Sequence, residues 1–209
     1  PPGDLTAATA YNWKVTAKDA FGGTTAGLVW SFTTAPNGPT APNVFYISPT
    51  GNATFAGIAA QGADILSYAK STNTWTMIYD GSVRGTAKNI GAFHRLSDGS
   101  LLIVFSANQA IAGLGTATPY DVVKFTPQNP NVFPLGAGAF SWFFQGREPG
   151  LTAAGEKLDA LDLVGNRLLL STTAAAKVTL PNGATLSIAD EDVFAYDQTA
   201  GRWDSTLVI

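Results

Sequence analysis

The chain carries a single histidine, His94, and no cysteine, so a zinc cage of His and Cys ligands and a two-histidine proton relay are both closed to it. In "AFHRL", His94 alternates with Phe93 and Arg95, the pattern of a strand, and a structural imidazole is expected. A nucleophile elbow, a phosphate-cradling loop and a dinucleotide fingerprint are all missing from the sequence. Carboxylates are the other group with chemical reach. Asp190, Glu191 and Asp192 in "ADED" offer the hard oxygen ligands that Ca2+ takes, and a paired Asp and Glu is also what glycoside hydrolysis uses. Acids at the mouth of a strand more often form Asx turns or guard an edge with charge, so structural use is the first expectation. Asp159 and Asp162 in "LDALD" are three apart, which puts them on opposite faces of a strand and argues against a joint site. The expectation is a protein that is not an enzyme and holds no resident cofactor, with Ca2+ at 190–192 as the alternative.

Five tryptophans, six tyrosines and twelve phenylalanines offer a different chemistry. An exposed aromatic ring stacks on the face of a sugar, with Asn or Asp nearby for the hydroxyls. Trp142, Phe143 and Phe144 are adjacent in "SWFFQGRE", and both faces of one strand are hard to bury at once. With Trp75 they make the candidate carbohydrate site. Aromatics repeated at matching positions are equally what core packing demands.

Strands must position all of these side chains. The sequence is 45% hydrophobic and 13% charged, enough apolar content for a core, and its apolar segments are short and bounded by Gly, Pro or Asn. An all-β fold follows. Even "TAAGEKLDALDLVGNRLLL" is broken by Gly165 and Asn166 and reads as two strands around a turn. The 12 basic residues are scattered through a chain of net charge −3, so nucleic acid is not an expected partner. No stretch reaches the roughly 20 apolar residues that span a bilayer.

In "TAYNWKVTAKD", Tyr11, Trp13 and Val15 fall on one side of an alternating pattern and Asn12, Lys14 and Thr16 on the other. "AFGGTT" then turns into a second strand, "LVWSFTT", where Val29, Trp30 and Phe32 compete for the two faces. Leu5, Thr9, Tyr11, Trp13, Val15, Ala17 and Asp19, followed by Trp30, Phe32, Thr33 and Thr34, resemble the last strand pair of a fibronectin type III domain. The resemblance covers about residues 1–35, a partial sandwich, and implies the corner hydrogen bond of such domains for Tyr11. An isolated hairpin is marginal in water. The face formed by Tyr11, Trp13, Val15, Trp30 and Phe32 therefore expects cover from upstream sequence, from the rest of the chain, or from another subunit by strand addition. Residues 36–43, rich in Pro, Asn and Gly, read as a semi-rigid linker.

Residues 44–209 repeat themselves, in segments of about 44–100, 101–167 and 168–209. Asp64, Asp121 and Asp192 open a strand in each, Tyr68, Phe125 and Tyr196 follow four residues on, and Trp75, Trp142 and Trp203 mark the next strand. "YAKSTNTW" and "YDQTAGRW" are similar to the Tyr-x6-Trp signature of kelch propeller blades. More broadly, the repeats resemble those of large exported bacterial proteins of unknown function, which implies a cell-surface address. Physically each repeat is a meander that must cover its second face with a neighbour, in a compact barrel or sandwich or in a propeller-like array. The function expected is a non-enzymatic extracellular protein, structural or adhesive, the subunit of a cell-surface assembly or filament whose partners are other copies of the chain. The alternative is a carbohydrate-binding module of a larger secreted protein.

Overall fold

The computed structural model describes residues 5, 6, 8–34 and 43–206, and they are almost wholly antiparallel β-structure. The chain divides into two units, Pro1–Asn43 and Val44–Ile209; the linker expected at 36–43 lies outside the described residues except for Asn43.

The first unit is a hairpin of β1 (Ala10–Lys18) and β2 (Thr24–Thr33). Its register sets Tyr11 opposite Phe32 and Trp13 opposite Trp30, while Val29 faces Lys14, so pairing resolves the competition between the two faces of β2. The rings stack across the strands with centroids 5.7 Å apart for Tyr11 and Phe32 and 4.7 Å for Trp13 and Trp30, an arrangement worth up to about 1.5 kcal/mol per pair. Asp19 shapes the turn by accepting the Phe21 and Gly23 N–H groups, and Gly22, at φ +90°, supplies the left-handed residue it needs. Upstream, Tyr11 Oη accepts a hydrogen bond from the Thr6 N–H at 2.7 Å, tying β1 to the segment before it.

The described residues of the second unit form three larger sheets with a common plan, each accompanied by a two-stranded hairpin. The first runs β3 (Val44–Ile47), a small hairpin of β4 (Ala53–Phe55) and β5 (Ile58–Ala60), then β6 (Ile65–Ala69) and β7 (Thr74–Tyr79). The second runs β8 (Ile90–Arg95), β9 (Leu101–Phe105), the hairpin β10 (Gln109–Ile111) and β11 (Gly115–Ala117), β12 (Asp121–Pro127) and β13 (Gly138–Gln145). The third runs β14 (Leu158–Val164), β15 (Arg167–Thr172), the hairpin β16 (Ala176–Thr179) and β17 (Thr185–Ile188), β18 (Phe194–Asp197) and β19 (Arg202–Trp203). Pairing orders are β3-β6-β7, β13-β12-β9-β8 and β14-β15-β18-β19. Ile90–Arg95 and Leu158–Val164 close their repeats in sequence but open the second and third sheets in space, because each forms a short-turn hairpin with the strand that follows it.

No closed barrel is found among the described residues; the sheets lie face to face as in a sandwich. One apolar cluster joins Ile65, Ile78 and Tyr79 of the first sheet to Leu101, Ile103 and Phe125 of the second. Another joins Leu102, Val122 and Phe144 of the second to Leu168, Phe194 and Trp203 of the third. The second sheet is thus covered on both faces, and all five residues of β9 are 0% exposed. That burial explains why "LLIVF" is an unbroken apolar run where a half-buried strand would alternate.

A carboxylate organises each meander. Asp64 Oδ2 accepts from the Gln61 N–H (2.7 Å), Asp121 Oδ2 from the Thr118 N–H (2.8 Å) and Asp192 Oδ2 from the Ala189 N–H (2.7 Å). The second oxygen of Asp64 takes the Gly81 N–H at 2.9 Å, and that of Asp121 the Gly146 N–H at 3.1 Å. The loop leaving the meander is thereby tied to the turn that enters it. A Cβ at Gly81 would lie 2.4 Å from the Ala63 carbonyl oxygen, and at Gly146 2.1 Å from that of Tyr120, so only glycine permits the approach. Glu156 does related work before β14: burial pushes its carboxyl up, but the N–H groups of Ala153, Thr152 and Lys177 outweigh that and hold it below the usual glutamate range.

Two outcomes follow from these carboxylates. Asp121→Asn is expected to lower stability by about 1–3 kcal/mol, the cost of weakened charge-assisted bonds to buried N–H groups, read as a lower urea midpoint at unchanged slope, whereas the exposed Asp190→Asn stays within about 0.5 kcal/mol. Because Glu156 is more acidic folded than unfolded, its contribution is present above the ordinary glutamate value and lost as pH falls through its lower folded value. Urea titrations of Glu156→Gln should show a shallower acid-side loss of stability than wild type.

Candidate functional site

The sites expected from sequence separate in space. His94 lies on β8, and its Nδ1 stands 2.8 Å from Asp162 Oδ1 on β14, bridging the leading strands of the second and third sheets. Asp159 turns instead to Ser171, whose Oγ donates to it at 2.6 Å. The two acids of "LDALD" thus have separate partners, Asp162 in His94 and Asp159 in Ser171.

Of the "ADED" acids, Asp192 is occupied by the turn before β18, while Asp190 and Glu191 are exposed. Among the described residues no group of three or more His, Cys, Asp or Glu side chains converges as a metal site would.

Trp75 is half-buried between Phe55 and Tyr68, with ring centroids at 4.8 and 4.9 Å. Trp142, Phe143 and Phe144 are accommodated because the second sheet has a core on each face. Trp142 packs toward the first sheet, and Phe143 and Phe144 toward the third. A bulge between Val122 and Val123 leaves Phe143 unpaired in the register, which lets consecutive residues serve one core. Register also revises one repeat position. Trp75 pairs with Tyr68 and Trp203 with Tyr196, but the residue opposite Phe125 is Phe140, not Trp142, so Phe140 is the counterpart of the other two tryptophans. The outer edges of Trp142, Phe143 and Phe144 still line a cleft of about 320 Å3 with Glu148, Tyr196 and Gln198.

On the expected face Tyr11 pairs with Phe32 and Trp13 with Trp30, a short aromatic ladder that Val15 follows at the register shift between Lys14 and Thr16. Trp13 is 50% exposed, Trp30 45% and Phe32 44%.

A cleft of about 670 Å3 was not foreseen. It lies between β3 on one side and β8 with residues 159–161 of β14 on the other. Strands of three different sheets contribute, so no local motif announces it. The one hint in the sequence is Val44-Phe45-Tyr46, three large apolar residues in succession on a strand of only four.

A scan against protein-family models finds no match, and a search of curated proteins finds none either.

Since one oxygen of Asp192 is taken by the Ala189 N–H and its neighbours Asp190 and Glu191 are exposed, added Ca2+ is expected to leave the thermal midpoint where EDTA leaves it. A calcium-dependent rise in that midpoint, lost in Asp190→Asn, would instead establish a cation at 190–192.

Proposed function

We propose that the chain is a non-enzymatic structural or adhesive protein of the extracellular or cell-surface space, joined to other chains, including copies of itself, through the β1–β2 hairpin. The observation that carries this is the ladder of Tyr11, Trp13, Val15, Trp30 and Phe32, aligned on one side of two strands and largely open to solvent. Soluble proteins rarely leave a contiguous apolar patch of this kind without a use, and tryptophan and tyrosine are the residues on which interfaces concentrate their binding energy. The outer edges of β1 and β2 also carry backbone donors and acceptors suited to strand addition. An extracellular address draws on the fibronectin-like layout of residues 1–35 and on the repeats of the second unit.

A second reading, a carbohydrate-binding module, rests on the cleft where Trp142, Phe143 and Tyr196 meet Glu148 and Gln198. Ring edges beside carboxylate and amide groups are the means by which proteins hold sugar faces and hydroxyls.

Sedimentation and light scattering decide the first reading. Wild type should associate as concentration rises, and Trp13→Ser with Trp30→Ser should abolish association while leaving the folding of the second unit, whose cores contain neither residue, unchanged. A chain that stays monomeric at every concentration and loses no partner in the double variant defeats it. For the second reading, a polysaccharide panel should retain wild type and release Glu148→Gln and Gln198→Ala; retention that ignores both substitutions removes it.

A further inference from the structure

The cleft of about 320 Å3 is walled by one acid, Glu148, and by no base. It lies where β13, the outermost strand of the second sheet, meets β18 of the third, and every residue lining it belongs to the second unit. The chain leaving Trp203 runs the other way. Trp203 pairs with Tyr196 and the Asp204 N–H donates to the Ala195 carbonyl, toward the start of β18, whereas Gln198, on the cleft wall, lies beyond the end of that strand.

Glu148 is exposed, and its carboxylate makes no ion pair among the described residues. The base next to it in sequence, Arg147, sets its guanidinium over the Tyr120 ring, 5.8 Å from the centroid, and does not line the cleft. The charge of Glu148 is felt inside all the same: burial first, and this carboxylate second, push the Tyr196 hydroxyl above the usual tyrosine value. Phe143 and Tyr196 are half-buried side chains of the same wall, and an aromatic ring attracts a cation through its quadrupole. Two amides complete the lining. Gln145 is exposed, and Gln198 Nε2 is buried without a hydrogen-bond partner among the described residues, a donor that the fold leaves unspent.

An ammonium group answers the acid and the rings at once, because both attract a cation. A bare alkylammonium, such as a lysine side chain, would stop there and leave the amides of Gln145 and Gln198 idle. A sugar ring that carries the ammonium also brings hydroxyls for the amides and C–H faces for the rings. We propose, on the carbohydrate reading of this cleft, that it recognises a glycan with free amino groups, a non-acetylated hexosamine whose ammonium pairs with Glu148. The carboxylate then selects the ligand by charge, and the rings and amides hold it as a sugar.

Calorimetry with the full chain, at a mildly acidic pH where the sugar amine is protonated, compares three probes: a β-1,4-linked glucosamine tetramer, its fully N-acetylated counterpart and cellotetraose. The glucosamine tetramer should bind saturably and about ten-fold or more tighter than the other two, the worth of one charge-assisted contact. Added salt should weaken the first probe and spare the others. Glu148→Gln, a change at an exposed side chain, should level the three at an unchanged urea midpoint, and Gln198→Ala should weaken all three. Silence toward every probe defeats the carbohydrate reading of the cleft and the proposal with it. Equal affinity for the three keeps that reading and overturns the amino-group selectivity alone. A preference that survives Glu148→Gln puts the amine elsewhere, and tetralysine bound as tightly as the glucosamine tetramer shows that the sugar ring adds nothing; either result overturns the proposal.

Discussion

A carboxylate shared between two loops is the interaction on which the second unit depends. Asp64 and Asp121 each use one oxygen to hold the turn entering a strand and the other to hold the loop leaving the meander. Both are almost fully buried, at 4% and 5% exposure, yet neither is an unpaired charge, because backbone N–H groups surround them. This contact brings Gly81 and Gly146 so close to the chain that no other residue fits. The acid and the glycine thus act as a pair across 17 and 25 residues respectively, adding to the ladder bonds and apolar packing a tie between the loops that enter and leave the meander.

Once each meander is closed, stacking is the next constraint. A sheet with two apolar faces needs two neighbours, and the second sheet has them: odd residues of β9 enter one core and even residues the other. The first and third sheets lie on either side of it and have one shared core each. The middle sheet is also where aromatic residues crowd consecutively, because only there can Trp142 and Phe144 find separate cores. Packing takes the middle of these side chains and leaves their rims to the surface cleft beside Tyr196.

The two units differ in how they meet the cost of order. The second has two clusters of fully buried side chains, each such side chain worth about 1.5–3 kcal/mol. The hairpin has cross-strand ring stacking and the Thr6–Tyr11 hydrogen bond, with its apolar ladder still largely exposed. The exposed ladder of the first unit is a feature that a second polypeptide satisfies, and the proposed function rests on it.

Much of this was legible in the residues. Alternation in "YNWKVTAK", the unbroken run "LLIVF" and the Gly165-Asn166 turn determined the strands, since side-chain period and turn chemistry are local properties. Recurrent Asp, Tyr and Trp positions revealed a repeat, and an Asp at the mouth of a strand already suggested a turn. Three matters were decided by tertiary structure alone. Register made Phe140, and not Trp142, the partner of Phe125, because a bulge changes the count in a way no spacing records. Long-range pairing assigned Ile90–Arg95 to the sheet that follows it. And the cleft beside β3 joins residues of three sheets: a sequence states which strands are apolar, but only their assembly shows which of them come to wall one cleft.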